Sequence, residues 1–277
     1  MKKIIRVTKP SLPSINEYFN LSKKIWSTGI LTHNGPYVQK FEKDLKKSLK
    51  VNNLSVVANG TLAIQLAIKS LNLKGEIITT PFTWIATIDA IIWEKCKPIF
   101  VDVELDTFNI NPDLIEKKIT KHTVAILGVH TFSNPCNVEK IGKIAKKHDI
   151  KVIYDAAHSM FANYKKKTIL SYGDVSATSL HATKILNSVE GGVCISKNQT
   201  LDKKIKKIRF FGFDNKGVIK NFGTNAKMTE MHAIMGILNL KNIKKILSER
   251  KRQYLLYLNY LKNNPSISFQ NFNKDKY

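Results

Sequence analysis

Cysteine is scarce in this 277-residue chain: three residues, at 96, 136 and 194, with no C-x-x-C spacing. An odd, scattered set excludes a disulfide framework and a thiolate zinc site, and suits a reducing compartment. Long apolar runs are absent. No stretch approaches the ~20 apolar residues that span a bilayer, and the basic N-terminus MKKIIRVTKP has no apolar segment of signal length. The expectation is a cytoplasmic protein without a membrane partner. Acidic residues are few, 21 against 45 Lys+Arg, which leaves a formal net charge of +24. Arginine is rarer still, confined to positions 6, 209, 250 and 252. Nucleic-acid readers gather arginine and interleaved aromatics into one strip. Here lysines recur along most of the chain, so a solvated basic surface is the reading and nucleic acid is not expected as a partner. Low-complexity segments and internal repeats are missing too. With 43% hydrophobic residues, the length supports one large domain or two smaller ones, and disorder is excluded.

What is present is an alternation of short apolar runs with helical patterns. Val38, Phe41, Leu45 and Leu49 recur at helical spacing. Strands are expected at 54–58, 76–80, 98–103, 123–130, 151–157, 175–182 and 192–196, with helices after Asn59, near 84–94, from about Pro112 and from Val138. Continuous β-branched runs between amphipathic helices imply a parallel sheet covered on both faces. Beyond residue 200 come a lysine-rich helix (201–209), the aromatic turn RFFGFDN and a segment, 227–262, expected to be helical throughout. Its Met and Leu stripe reads as packing. The final NPSISFQNFNKDKY looks like the start of a strand.

In open α/β sheets ligands sit at the carboxyl ends of the strands, and three polar elements fall there. Asn59-Gly60-Thr61 turns a strand into a helix N-terminus, whose free N–H groups and dipole suit a phosphate; the plainer reading is a simple cap. Asp155 ends the apolar run KVIYDAAHS. It could cap a following helix, pair with a protonated ring nitrogen, or share a metal with His158, three residues on and within one helical turn. No further ligand has suggestive spacing, so no metal is expected. Lys184 lies among Ala182, Thr183, Ile185 and Leu186, close after a predicted strand. Desolvation lowers a lysine's pKa and makes the amine nucleophilic, as a Schiff base requires. A Schiff-base lysine, a carboxylate for a pyridinium nitrogen and a phosphate-binding helix start are the fittings of pyridoxal phosphate.

The segments GILTHNGPYVQKFE, ANGTLAIQLAI, TTPFTWIATIDAI, KPIFVDVELDTFNINP, YDAAHS, GDVSATSLHATKILNSVEGG and GTNAKMTEMHAIMG, in this order, resemble the DegT/DnrJ/StrS-type sugar-nucleotide aminotransferases. The resemblance runs from about Gly29 to the end. It implies an α/β aspartate-aminotransferase-like fold (fold type I of the pyridoxal phosphate enzymes), with a mainly parallel sheet between helices. Residues 1–200 would form the large cofactor-binding domain, and 201–277 the start of a small C-terminal domain, incomplete because relatives continue further. Lys184 would carry the cofactor and move the proton, and Asp155 would hold the pyridine nitrogen protonated. Trp84 would cover one ring face and His158 the other. Gly60, Thr61 and Ser179 would bind the phosphate, assisted by Asn225 of the partner subunit in a homodimer with shared active sites. Tyr154 and Lys227 depart from the acidic residue and the arginine common in relatives. The activity implied is transfer of an amino group, with glutamate as donor, to a keto-sugar nucleotide such as a dTDP-4-keto-6-deoxyhexose, in glycan precursor biosynthesis. The alternative is a truncated, catalytically impaired homologue that binds the cofactor or dimerises.

Overall fold

A computed structural model describes residues 8–214, 217–219 and 222–272. The first seven residues, Asn215 of the aromatic turn and the last five residues of the expected terminal strand lie outside them. The chain opens with α1 (Ile15–Thr28) and α2 (Pro36–Leu49), then alternates β1 (Leu54–Val57), α3 (Gly60–Ser70), β2 (Glu76–Thr79), α4 (Ile85–Trp93) and β3 (Lys97–Phe100). A four-residue helix α5 (Pro112–Ile115), β4 (Thr123–Val129), α6 (Val138–Lys147) and β5 (Lys151–Asp155) follow. A small hairpin, β6 (Asn163–Tyr164) and β7 (Lys167–Thr168), precedes β8 (Val175–Ser179), β9 (Gly192–Ser196) and α7 (Gln199–Ile208). Helices α8 (Glu230–Lys241) and α9 (Ile243–Leu261) complete the elements.

The seven-stranded sheet runs β1-β9-β8-β5-β4-β2-β3. Pairing is parallel from β8 to β3, whereas β9 runs antiparallel to both β1 and β8. The sheet is therefore mainly parallel with one reversed strand. Successive side chains of a strand point to opposite faces, and the core divides accordingly. Ile126, Val152 and Tyr154 pack with Phe41, Leu45 and Met228 on one side. Ala125, Leu127 and Ile153 pack with Leu66, Ile91 and Ile205 on the other.

Packing continues past residue 200. Ile205, Ile208 and Ala226 join one side of the core, and Met228 and Ala233 the other. Helix α8 is tied to α2 by Glu230, only 1% exposed, whose carboxylate accepts the Tyr37 and Val38 N–H groups, both at 2.8 Å. The Met/Leu segment is not one helix. Helix α8 starts at Glu230 behind the N-cap Thr229, and the axis breaks at Asn242, which ends α8 and opens α9. Helix α9 buries none of its side chains. The described end of the chain pairs in no strand. It folds back instead, with the Asn271 N–H donating to Asp106 O (2.7 Å) and Gln270 Nε2 to Thr107 O (2.5 Å).

Candidate active site

The carboxyl ends of β1, β2, β4, β5 and β8 open on one cleft of about 880 Å³. Gly60, Thr61, Trp84, Asp155, His158, Ser179 and Lys184 all line it.

Helix α3 begins where β1 leaves the sheet. The Asn59 side chain accepts the Leu62 N–H at 2.8 Å, so the cap consumes one of the helix's orphan donors and leaves the Gly60 and Thr61 N–H groups without a partner among the described residues. A Cβ on Gly60 would lie 2.9 Å from Ser179 Cβ, so only glycine lets this helix start close on the end of β8. The Ser179 hydroxyl accepts the His181 N–H at 3.2 Å and folds the turn that carries Lys184.

Asp155 is neither a helix cap nor one turn of helix from His158: β5 ends at Asp155 and the chain turns. Its Oδ1 accepts the Ala157 N–H at 3.0 Å, and its Oδ2 accepts the Thr87 hydroxyl at 2.7 Å. Thr87 in turn lies 2.7 Å from the Thr83 hydroxyl. Two donors fix the carboxylate at the cleft floor, where it is 7% exposed. Lys184 is half-buried, and its amine has no hydrogen-bond or ion-pair partner among the described residues. Burial lowers its pKa from the ordinary lysine value, and the Asp155 charge opposes that shift. Burial also lowers the pKa of His158, helped by Lys184 and opposed by Asp155. No three His, Cys, Asp or Glu residues among those described are placed to hold a metal.

Trp84 is 79% exposed, too open for a core aromatic, and immediately precedes α4. Asn225 is not in this cleft. It is exposed on the stretch before α8, its backbone bridges Phe210, and its Oδ1 accepts Lys227 Nζ at 2.6 Å.

Sequence reasoning did not single out His130 and Phe132, which line the cleft, or Thr87, which is buried behind Asp155. Thr87 carries only the signal of a threonine in a helix. Phe132 lies in an irregular segment after β4. His130 was open to the same strand-end criterion that found Asp155: it follows β4, pairs its N–H with Asp155 O at 3.0 Å, and is 1% exposed. Its Nδ1 accepts the Cys136 N–H at 3.1 Å, which puts the proton on Nε2. That Nε2 is buried without a partner, as is Thr178 Oγ1, also on the cleft.

A family model for the DegT/DnrJ/EryC1/StrS aminotransferase family matches residues 14–277. The chain belongs to this family. It is 39% identical over 268 residues to a dTDP-4-amino-4,6-dideoxy-D-glucose transaminase of Shigella dysenteriae, covering 97% of this chain and 73% of the relative. A protein of Escherichia coli with the same description is 40% identical over 267 residues, covering 96% and 72%. Among solved structures, DesI in the presence of its TDP-sugar product superposes with a TM-score of 0.92 at 29% identity, covering 97% of this chain and 68% of that one. Helicobacter pylori PseC, an aminotransferase of pseudoaminic acid biosynthesis, gives 0.88 at 27% identity, covering 95% and 72%. The family places the chain among the pyridoxal phosphate-dependent sugar aminotransferases, of aspartate-aminotransferase-like fold. No helix among the described residues is long and apolar enough to cross a membrane.

Proposed function

We propose that this chain transfers the amino group of glutamate to C4 of a dTDP-4-keto-6-deoxyhexose, with Lys184 as the cofactor lysine. The observation that carries the site assignment is the half-buried, unpartnered Lys184 amine facing a fixed Asp155 across one cleft. The substrate assignment rests on the two transaminase relatives.

The residues suit pyridoxal phosphate. The Gly60 and Thr61 N–H groups and the Ser179 hydroxyl offer donors at a helix start, where phosphate is favoured. The close approach at Gly60 keeps side-chain atoms out of that cradle. Trp84 and His158 supply two ring surfaces on the cleft. Bound there, the cofactor supplies an electron sink for the substrate carbon being deprotonated or reprotonated. Asp155, its carboxylate fixed by the Thr87 hydroxyl and the Ala157 N–H, would face the ring nitrogen and favour its protonated form by its charge. Lys184 would hold the cofactor through its amine and would carry a proton to and from the substrate carbon. Its lowered pKa keeps more of the amine in the basic form that this needs.

Asn225 stands outside the cleft of its own chain among the described residues, which suits the role the family resemblance gives it, completing the phosphate site of the partner in a homodimer. The protein acts in the cytoplasm, where sugar nucleotides are made, in amino-sugar and polysaccharide precursor synthesis. In place of the expected boundary at residue 200, we place the start of the small domain at α9, because side chains of α7 and α8 share the core of the large one.

The test is turnover of holoenzyme with glutamate and dTDP-4-keto-6-deoxyglucose. The expected product is the 4-amino sugar nucleotide. Asp155→Asn should retain the cofactor yet lose turnover on the order of 10²–10³-fold, the usual cost of removing one preorganised electrostatic partner. Unchanged turnover in that variant would refute the role of Asp155.

A further inference from the structure

The segment leaving β4 holds two successive non-glycine residues in the left-handed region, Phe132 (φ 51°) and Ser133 (φ 70°). Such conformations cost free energy and persist only where the surroundings over-determine them, most often at functional sites. The surroundings here do so. The Ser133 hydroxyl donates to His158 O. The Thr131 hydroxyl donates to Phe108 O (2.9 Å), and the Thr131 N–H to the Asn109 side chain (2.9 Å).

What this strain achieves is the placement of one ring. Phe132 lines the cleft and is 56% exposed, although burying a phenyl group would stabilise the fold. Its ring lies parallel to that of His158 (5.8 Å between centroids, 4°) and edge-on to Phe82 (6.4 Å, 83°). Phe82 and Phe132 thus form an apolar wall, while Ser179, His181, Thr183 and Glu190 make other parts of the lining polar.

Any hexose ring can lay its C–H face on such a wall, but a C6 hydroxyl set against it would lose its hydrogen bonds. A 6-deoxyhexose avoids that loss, since its C6 methyl is an apolar substituent. We infer that Phe132 determines specificity by receiving the deoxy methyl group of the acceptor sugar. This rests on the function proposed above and adds the reason a 6-deoxy sugar would be preferred to its 6-hydroxy counterpart.

The test uses holoenzyme in the reverse direction, with dTDP-4-amino-4,6-dideoxyglucose or dTDP-4-amino-4-deoxyglucose as amino donor and 2-oxoglutarate, which becomes glutamate, as acceptor. The readout is the ratio of their kcat/KM values on one preparation, so that loss of active protein cancels. Apolar pockets discriminate against an added hydroxyl by up to about 10²-fold. A ratio of at least about 10 in favour of the 6-deoxy sugar is expected, falling towards 1 in Phe132→Asn. Asparagine tolerates the left-handed backbone, so that variant isolates polarity from folding. Phe132→Leu, still apolar, should keep the preference. A wild-type ratio carried over intact into Phe132→Asn, or lost equally in Phe132→Leu, overturns the inference while leaving the proposed function standing. Wild-type holoenzyme that accepts neither sugar overturns both.

Discussion

His130 shows how one residue links fold and site. Complete burial depresses its pKa to about 3, and its Nδ1 serves the Cys136 N–H while its ring stacks on Tyr154 at 4.5 Å. Because the folded-state pKa lies below the unfolded value of about 6.5, the unfolded chain takes up a proton that the folded chain refuses. Stability present above pH 6.5 is therefore lost as pH falls towards 3, by about 1.4 kcal/mol per unit from this residue at most. Urea denaturation at pH 6.5 and 5.0 should show a loss about 2 kcal/mol smaller in His130→Asn than in wild type. Equal losses would show that His130 does not resist protonation. Asp155 was legible in the sequence as a carboxylate ending an apolar run, whereas Lys184, one lysine of 41, was legible only together with Asp155, the helix start at Asn59 and the family resemblance. Thr87 and Phe132 were not legible, since their importance comes from packing between segments far apart in sequence. Asp155 meets Thr87 across 68 positions, and no local pattern encodes that contact.

Among the elements, the junction of α2 and α8 carries a clear energetic expectation. The N-cap of helix α2 is Gly35, which has no capping side chain, so Glu230 of α8 supplies the acceptor for its first free N–H groups. Glu230→Ala should cost about 3 kcal/mol, because hydrogen bonds to a charged group are lost and the buried Val38 N–H is left unsatisfied. A melting temperature unchanged in that variant would contradict this. Strand positions were readable from β-branched runs, but the direction of β9 was not, since an apolar run reads the same both ways. Helix α1 escaped notice because only Ser22 and Ile25 of its fourteen residues are buried, so its apolar period is blurred. The break at Asn242 carries no glycine or proline to mark it.

For the whole molecule, the +24 charge and the proposed shared site lead to separate expectations. Scattered lysines predict only weak, sequence-blind nucleic-acid binding that falls steeply with salt. A sequence-specific complex at physiological salt would contradict that. A two-fold dimer with composite sites predicts complementation. Lys184→Ala and Asn225→Ala homodimers should each be impaired, whereas their heterodimer contains one intact site and should regain about half the activity of wild type. No recovery after verified subunit exchange would place both residues in one chain's site. The central claim, that Lys184 holds the cofactor, has the most direct measurement. Holoenzyme is reduced with borohydride, digested, and the pyridoxyl group located by peptide mapping. The account predicts the label on Lys184 alone among 41 lysines; a label on any other lysine, with Lys184 unmodified, would contradict it.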